Sequence, residues 1–467
     1  MSPEDDKESP EKAFASNTSL HGFNRIASSP GGSPRVLWVI AILGSYTGFG
    51  YMFGSMMASY FKYDTITDTT LEFADELLFP AVTICNMNKF DSDKLQVADW
   101  SYLSLFLYGI QADIPTILAL GMQPDETVNS TMTGVKIEDL VLAKGFNLSS
   151  NRMPLCLWRG AYCSEQNFTH SFGHYGNCYT FNADADNQLK QTTEGAHGNG
   201  FTAFVDIKED KYTESFLVSG NAEVGLKLLV HDPREPPMMD TQGIALAPGN
   251  HAFIAIKQIL YENHVPPWGV CKDLQLEYYD TYTLNGCYLE CRSKHVVRNC
   301  SCRPYDLPGT APSCDPRTMF TCVRAVLAQV ITGDLKCDCP VPCRMTSYST
   351  SLSFAGFPNK HTRNYLAPLL GMEPGYMADN GVVFSVFYEK LNYQKIRQLK
   401  AMDEGQLSSN IGGMMGLFLG ASVLSLLEVC EYLLKRLLGF LGRTRNAGVF
   451  HVQTQEPKSA TEKKALN

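Results

Sequence analysis

Several things are missing from this chain of 467 residues, and each absence excludes a function. There is no His-Glu-x-x-His helix signature, no Gly-x-Ser-x-Gly turn and no glycine-rich phosphate loop leading into a helix. The ten histidines are scattered, and acidic pairs such as Asp5-Asp6 and Glu209-Asp210 are most simply solvated. No catalytic constellation follows, so an enzyme is not expected, nor a cofactor or a bound metal. Positive charge is also short: 39 Lys and Arg stand against 48 Asp and Glu, a net charge of −9 that argues against a nucleic-acid partner and suits a surface concentrating cations. Charged residues make up only 19% of the chain, where about a quarter is usual. One stretch, Val36–Tyr60, holds none at all.

That charge-free stretch is long enough to cross a bilayer. It starts too far in, and runs too long, for a cleaved signal peptide. A second apolar run, Asn410–Leu438, lies near the other end. Arg25 and Arg35 precede the first run, and Lys435, Arg436, Arg443 and Arg445 follow or close the second. The positive-inside rule then predicts two spans, both termini in the cytoplasm, and about 350 residues between them outside. Cysteine usage points the same way. Of 15 cysteines, 14 lie between Cys85 and Cys343, an even set suited to an oxidising compartment, and Cys430 alone falls in the second run. The sequons at Asn129, Asn147, Asn167 and Asn299 lie in the same outer region, whereas Asn17 falls in the inner tail and is expected to be silent. Residues 1–34 and 446–467 are polar and read as largely disordered tails.

The second run carries the sharpest local signal. On one continuous helix, Gly413, Gly416, Gly420, Leu424, Glu428 and Glu431 fall within an arc of roughly 120°. One face is thus small and then acidic. Carboxylates at membrane depth are costly unless they meet water or a partner, so a helix lining a cation path would look like this. Glycines four apart are equally a device for packing helices, and Glu431 lies one turn from Lys435 and is compatible with the interface.

Between the spans the pattern is mixed. Phe201–Ile207, Val224–Val230 and Ala252–Ile259 have the β-branched, alternating character of strands, Val382–Tyr388 reads as a further strand leading back towards the membrane, and Trp100–Tyr108 and Met319–Val330 look helical. An α+β domain with a central sheet is expected. Ten cysteines crowd into Cys271–Cys343, with Cys287 and Cys291 one helical turn apart. Spacings such as Cys337-x-Cys339 invite a zinc reading, but an even, extracellular set favours disulfides. Spacing leaves their connectivity open.

A resemblance now becomes specific. The block Leu417-Phe-Leu-Gly-Ala-Ser-Val-Leu-Ser-Leu-Leu-Glu428 resembles the second transmembrane signature of the degenerin/epithelial sodium channel superfamily. Phe79-Pro-Ala-Val-Thr-Ile-Cys-Asn86 is similar to the segment after its first span, and Ser19-Leu-His-Gly22 to its His-Gly motif. Tyr175-Gly-Asn-Cys-Tyr-Thr-Phe-Asn182, Pro266-Pro-Trp-Gly-Val-Cys271 and the Cys287–Cys343 array follow in family order. The acid-sensing and peptide-gated branches look nearest.

The resemblance implies a trimeric membrane channel of identical or related subunits. Each would have two transmembrane helices flanking a large, disulfide-rich, hand-like α+β ectodomain with a central β-sheet palm. Its boundaries here would be a cytoplasmic tail 1–35 with the His-Gly motif, a first span 36–61, an ectodomain 62–409 with a stapled thumb 271–343, a second span 410–436 and a cytoplasmic tail 437–467. The pattern implies the disulfides Cys85–Cys178, Cys156–Cys163, Cys271–Cys343, Cys287–Cys339, Cys291–Cys337, Cys300–Cys322 and Cys302–Cys314. It makes Gly420, Ala421 and Ser422 the narrow belt of the pore, where carbonyls exposed at a helix break replace part of a cation's hydration shell. Glu428 and Glu431 would ring the inner pore, and His21 and Gly22 would line the vestibule. Asn410, Gly413 and Gly416 would mark the outer gate and the site of block by amiloride. Tyr63 and Trp268 would couple the thumb to the first span by stacking, against the plainer reading of Trp268 as a core residue.

The trigger departs from the pattern. The histidine that follows the wrist tyrosine in acid-sensing members is replaced here by Asp64 and Thr65, a palm lysine by Glu194, and two thumb acids by Arg324 and Ala328. The loop Ser215–Ala222 holds no carboxylate. Carboxyl pairs that would sense mild acid are thus largely missing. The expectation is a sodium-selective, amiloride-sensitive plasma-membrane channel opened by an extracellular ligand, a peptide or another small molecule, with protons acting at a non-standard site as the alternative. An ATP-gated channel would need clustered lysines early in the ectodomain, where only Lys62, Lys89 and Lys94 are scattered. A non-conducting adhesion or receptor protein would have no reason to set Gly-Ala-Ser and two carboxylates on one face.

Overall fold

The computed structural model describes residues 10–29, 31–95, 136–183, 191–192, 198–213, 223–369, 371, 373 and 375–447. Trp100–Tyr108, Asn129, Glu194 and Ser215–Ala222 lie outside these residues. The chain divides into two compact units, Met1–Asp64 with Lys400–Asn467, and Thr65–Leu399.

The larger unit is built on two main sheets, beside a small antiparallel pairing of Leu77–Leu78 with Gln191–Thr192. Its strands are β1 (Thr65–Phe73), β2 (Ala81–Asn86), β3 (Leu155–Trp158), β4 (Ala161–Tyr162), β5 (Phe168–Gly173) and β6 (Gly176–Phe181). They continue with β7 (Phe201–Asp206), β8 (Leu226–His231), β9 (Ile244–Leu246), β10 (Asn250–Glu262), β11 (Arg344–Gly356) and β12 (Gly381–Lys400). One sheet runs β11–β10–β12–β7–β3–β4, with β1 also on β12, and the other runs β9–β8–β2–β6–β5. The four expected strands are β7, β8, β10 and β12; the first three agree within a few residues at each end, whereas β12 runs on past Tyr388 to Lys400. β10 and β12 are parallel neighbours, with Ile254 opposite Val386. The largely apolar run Val382–Tyr388 follows from that: a strand buried on both faces has little polar side to show, and Ser385 within it is paired with Thr202 and His251. The two sheets meet where Phe181 of β6 stacks on Phe201 of β7, ring centroids 4.2 Å apart and planes 10° apart.

A buried ion pair ties loops to this core. Arg152 Nη2 donates to Asp91 Oδ2 at 2.7 Å, with the two side chains 5% and 0% exposed. The thumb is carried by the helix Leu284–Cys300, opened by Thr283, whose Oγ1 accepts from Gly286 N at 3.0 Å. It ends at Ser301 in the left-handed region, φ 58°. Met319–Val323 forms a wide π turn before the helix Arg324–Thr332, so the expected helix over Met319–Val330 is present with an irregular start. Seven disulfides form: Cys85–Cys178, Cys156–Cys163, Cys271–Cys343, Cys287–Cys339, Cys291–Cys337, Cys300–Cys322 and Cys302–Cys314. Cys287 and Cys291 staple one helix face to the segment Cys337–Cys339. The zinc reading fails on the same ground, since Cys291 and Cys337 beside His295 are bonded to each other.

The smaller unit is helical. Ser33–Tyr60 is one continuous helix with no buried residue, long and apolar enough to cross a membrane. Surface such as Leu37 and Tyr51, 67% and 79% exposed, needs lipid or another chain to cover it. The tail before it, expected to be largely disordered, instead carries two helices, Pro10–Asn17 and Phe23–Ser28. The second apolar run is also not one rod. Helix begins at Glu404 and reaches Ala447, interrupted after Leu419 and resumed at Val423, and the two parts meet at 72°.

Candidate ion path and ectodomain cavity

The interruption begins with a sequence that cannot sustain an ordinary helix. Asp403 caps the first part, its Oδ1 accepting from Gln406 N at 2.6 Å. Met415–Leu419 widens into a π turn, and Gly420 then takes φ 60°, which glycine adopts without the penalty a side chain would meet. Ser422 starts the next helix, its Oγ accepting from Leu424 N at 3.2 Å and Ser425 N at 3.4 Å. Gly420, Ala421 and Ser422 therefore lie outside both helices. The single arc expected for Gly413, Gly416, Gly420, Leu424, Glu428 and Glu431 is not formed, because the 72° bend turns the acidic part away from the glycine part.

The N-terminal segment folds back into this break. His21 N donates to Leu419 O at 3.1 Å, and a Cβ on Gly420 would collide with the His21 ring. Gly22 turns there with φ 88°, where a Cβ would press on Ile42 Cδ1 at 2.7 Å. Ser45 of the first long helix donates to Phe418 O, and Gly48 lies against the Phe418 ring. Glu428 is bound by the tail: its Oε2 accepts from Ser19 N at 2.9 Å, Thr18 Oγ1 at 3.1 Å and Ser19 Oγ at 3.3 Å. Ser19 Oγ also meets the buried Ser425 Oγ at 2.5 Å. Below that, Phe14 stacks on Tyr432 at 4.5 Å, and Arg436 pairs with Glu11. Glu431 has a different partner, Lys435 at 2.5 Å, and stays 65% exposed.

A second feature lies wholly within the larger unit. A cavity of about 840 Å³ opens between β5, the loop Asp232–Asp240, the thumb helix Leu284–Cys300 and the helix Arg324–Thr332. His231 at its floor is fully enclosed. Its Nδ1 donates to Asp232 O at 2.9 Å, and its Nε2 meets Thr83 Oγ1 at 2.7 Å, an arrangement for a neutral ring. Burial lowers its pKa to about 4. Burial does the same to His174, helped by Lys89, and again the value is about 4. Glu235 moves the other way, raised to about 7 by burial and by the nearby Asp232. Asp306 is raised as well, chiefly by burial.

Comparison with known proteins decides what kind of molecule holds these features. The profile of the amiloride-sensitive sodium channel family matches residues 14–432. The chain is 33% identical to acid-sensing ion channel 1C of Danio rerio over 458 residues, covering 93% of this chain and 86% of that protein. It is 30% identical to the bile acid-sensitive ion channel of Rattus norvegicus, covering 90% and 86%, and 33% identical to acid-sensing ion channel 1 of Gallus gallus, covering 90% and 83%.

The chain belongs to the amiloride-sensitive sodium channel family.

Members of this family are ion channels and not enzymes. In this channel chain the structure brings His21, Gly22, Gly420, Ser422 and Glu428 into one cluster, and sends Glu431 to Lys435. Gly413 and Gly416 face open space, and Asn410 is exposed. Tyr63 closes the smaller unit with φ 55°, its ring 6.2 Å from that of Phe61. Trp268 belongs to the larger unit and is half-buried, so it is not an enclosed core residue. Asn147, Asn167 and Asn299 are exposed.

Some residues escaped the sequence reading. Ser19 is quoted with the His-Gly motif, but neither it nor Thr18 carries a sequence signal for the contact each makes with the Glu428 carboxylate. Ser425 was missed as well, although Ser422-x-x-Ser425 has the spacing of a helix start. Arg234, Glu235 and Asp240, which line the cavity together with Arg324 and Ala328, sit in a proline-rich loop that carries no periodic signal.

Proposed function

We propose that this chain is one subunit of a trimeric, sodium-selective, amiloride-sensitive cation channel of the plasma membrane, with two spans, cytoplasmic termini and an extracellular ligand as the trigger. The observation that carries this reading is the glycine break seated on His21, with Glu428 held by the returning tail. Gly420–Ser422 then form the narrow belt, where three copies of exposed backbone oxygen strip part of a sodium ion's water. Glu428 and Glu431 raise cation concentration on the inner side. Gly413 and Gly416, with open space beside them, receive amiloride below a gate at Asn410. The stapled thumb acts as a stiff lever, and Tyr63 with Trp268 passes its movement to the first span. A ligand opens the pore to the extent that it binds the open arrangement more tightly than the closed one.

Voltage-clamp recording in oocytes tests this. A bulky substitution beside the gate, Ser409→Phe, is expected to hold the path open and give a sodium current blocked by amiloride. Absence of current from a surface-expressed S409F channel rejects the reading. Proton gating is the second reading, supported by Glu235, whose pKa of about 7 lies where mild acidification acts. Glu235→Gln is expected to abolish an acid-evoked current if that carboxyl is the sensor.

A further inference from the structure

We infer that Ser45, on the first long helix, is a positioning residue for ion selection: its hydroxyl holds the Phe418 carbonyl away from the ion path and leaves the narrow belt to Gly420 and Ala421. The inference rests on the reading of Gly420–Ser422 as that belt.

The backbone of the break supplies the first argument. A helix that stops abruptly leaves carbonyls without partners of its own, and at membrane depth each needs a donor, water or an ion. Gly416 O still accepts from Gly420 N at 3.1 Å and Met415 O from Ala421 N at 3.2 Å, while Ser422 O accepts from Leu426 N at 3.2 Å in the next helix. Between them, Phe418 O takes the Ser45 hydroxyl and Leu419 O takes His21 N at 3.1 Å. No described residue donates to the carbonyls of Leu417, Gly420 or Ala421. The covered oxygens are those met by the first long helix and the tail, and Gly420 and Ala421 keep the free pair at the turn.

A neighbouring hydroxyl supplies the second. A Ser or Thr inside a helix commonly returns its proton to a carbonyl of its own preceding turn. Thr47 does so, donating to Leu43 O at 2.7 Å. Ser45, two residues away on the same helix, donates across to the second apolar run instead.

Packing is third. Ile42, Ser45 and Gly48 step by three along the helix, so they are neighbours on its surface. Ile42 lies against the Gly22 turn, and a Cβ on Gly48 would stand 3.1 Å from Phe418 Cε1. Glycine there lets the Phe418 ring approach the helix backbone closely and fixes the residue whose carbonyl Ser45 holds. Removing the hydroxyl leaves Phe418 O without its donor, beside the belt and free to turn to a passing ion. An added oxygen changes the number of carbonyl dipoles around that ion, and with it the choice between sodium and the larger potassium.

The test compares Ser45→Thr with Ser45→Val in the full-length channel opened by Ser409→Phe. The two side chains branch alike and are close in size, so packing changes equally and the hydroxyl is what differs. Reversal potentials in sodium and potassium solutions are expected to give Ser45→Thr a sodium-over-potassium permeability ratio near that of S409F alone, and Ser45→Val a ratio lower by about threefold or more. Equal ratios in the two variants overturn the inference, since bulk alone then acts, and so does a Ser45→Val ratio matching S409F. A second readout needs no current: maleimide labelling of Leu20→Cys in a Cys430→Ser background. The Phe418 and Leu419 carbonyls are adjacent, so losing the Ser45 bond should loosen the His21 contact and speed labelling by about threefold in Ser45→Val but not in Ser45→Thr. Silence of S409F beside that hydroxyl-dependent labelling rejects the channel reading and leaves the Ser45 bond standing, whereas silence beside equal labelling overturns both.

Discussion

Removing the Glu428 carboxylate should release the N-terminal segment from the helix break. The carboxylate accepts three hydrogen bonds from the tail, at 2.9 Å from Ser19 N, 3.1 Å from Thr18 Oγ1 and 3.3 Å from Ser19 Oγ. The carboxylate is open to solvent, so water replaces part of what it accepts, and neighbouring bonds that share one acceptor do not add. Losing all three in Glu428→Ala should shift the balance between docked and released tail by about five- to tenfold. Other contacts persist in the variant, including His21 N to Leu419 O at 3.1 Å and the Phe14–Tyr432 stack at 4.5 Å. The released state therefore becomes frequent without the tail being lost. A cysteine placed at half-buried Leu20, in a Cys430→Ser background that removes the free thiol, reports the release through its rate of maleimide labelling. Glu428→Ala is expected to speed labelling by about five- to tenfold, and Glu428→Gln, which keeps an acceptor but drops the charge, by less. An unchanged melting transition of the disulfide-bonded unit serves as the folding control. Labelling rates that agree within about twofold would refute the claim that the carboxylate holds the tail.

Gly420→Val should disturb the break itself, since a left-handed conformation is unfavourable for a β-branched residue and the new carbons collide with His21; altered sodium selectivity or loss of S409F current checks it, and an unaltered current rejects it. Arg152→Ala removes one of the two cations on the buried Asp91 carboxylate, leaving Lys94 at 2.9 Å, and should destabilise the larger unit by about 1.5–3 kcal/mol, read as a lower melting temperature, whereas a change under about 0.5 kcal/mol would contradict the burial of that pair. Glu235 has its pKa raised from 4.5 to about 7, so the folded state holds its proton more tightly than the unfolded chain. Its stabilising contribution is complete below about 4.5 and disappears as pH rises through about 7. Glu235→Gln should therefore flatten the dependence of melting temperature on pH across that window and stabilise the protein relative to wild type at pH 8; an unchanged slope would show that the carboxyl is solvated.

How much was legible depended on whether the signal was local. Val36–Tyr60 announced a helix long and apolar enough to cross a membrane, because an absence of charge over that length is a local signal. The strand at Val382–Tyr388 was visible because it is almost wholly β-branched and aromatic, as a strand buried on both faces tends to be. An even cysteine count declared an oxidising compartment, but spacing left the partners open; family resemblance implied the pairs. The bend after Leu419 was hidden from helical arithmetic, which assumes one straight rod. Gly420 permits the left-handed turn, but permission is not instruction, and the turn is taken where the His21 ring occupies the space a side chain would need.

By itself, then, the sequence determined composition-driven properties: two apolar runs, the oxidised region between them, the mixed sheet, and the glycine, serine and acidic residues available to an ion path. Tertiary structure alone decided which of those residues meet. Glu428 lies some four hundred positions from Ser19, and its partner is chosen by how the tail folds back; Glu431, one turn on, turns to Lys435 instead. The cavity above is the same kind of fact. Arg234 and Arg324 stand on a loop and a helix far apart in the chain, and neither carries a local pattern that points to the other. Packing brings their like charges to one wall, where burial at the same time weakens the acids that would have balanced them.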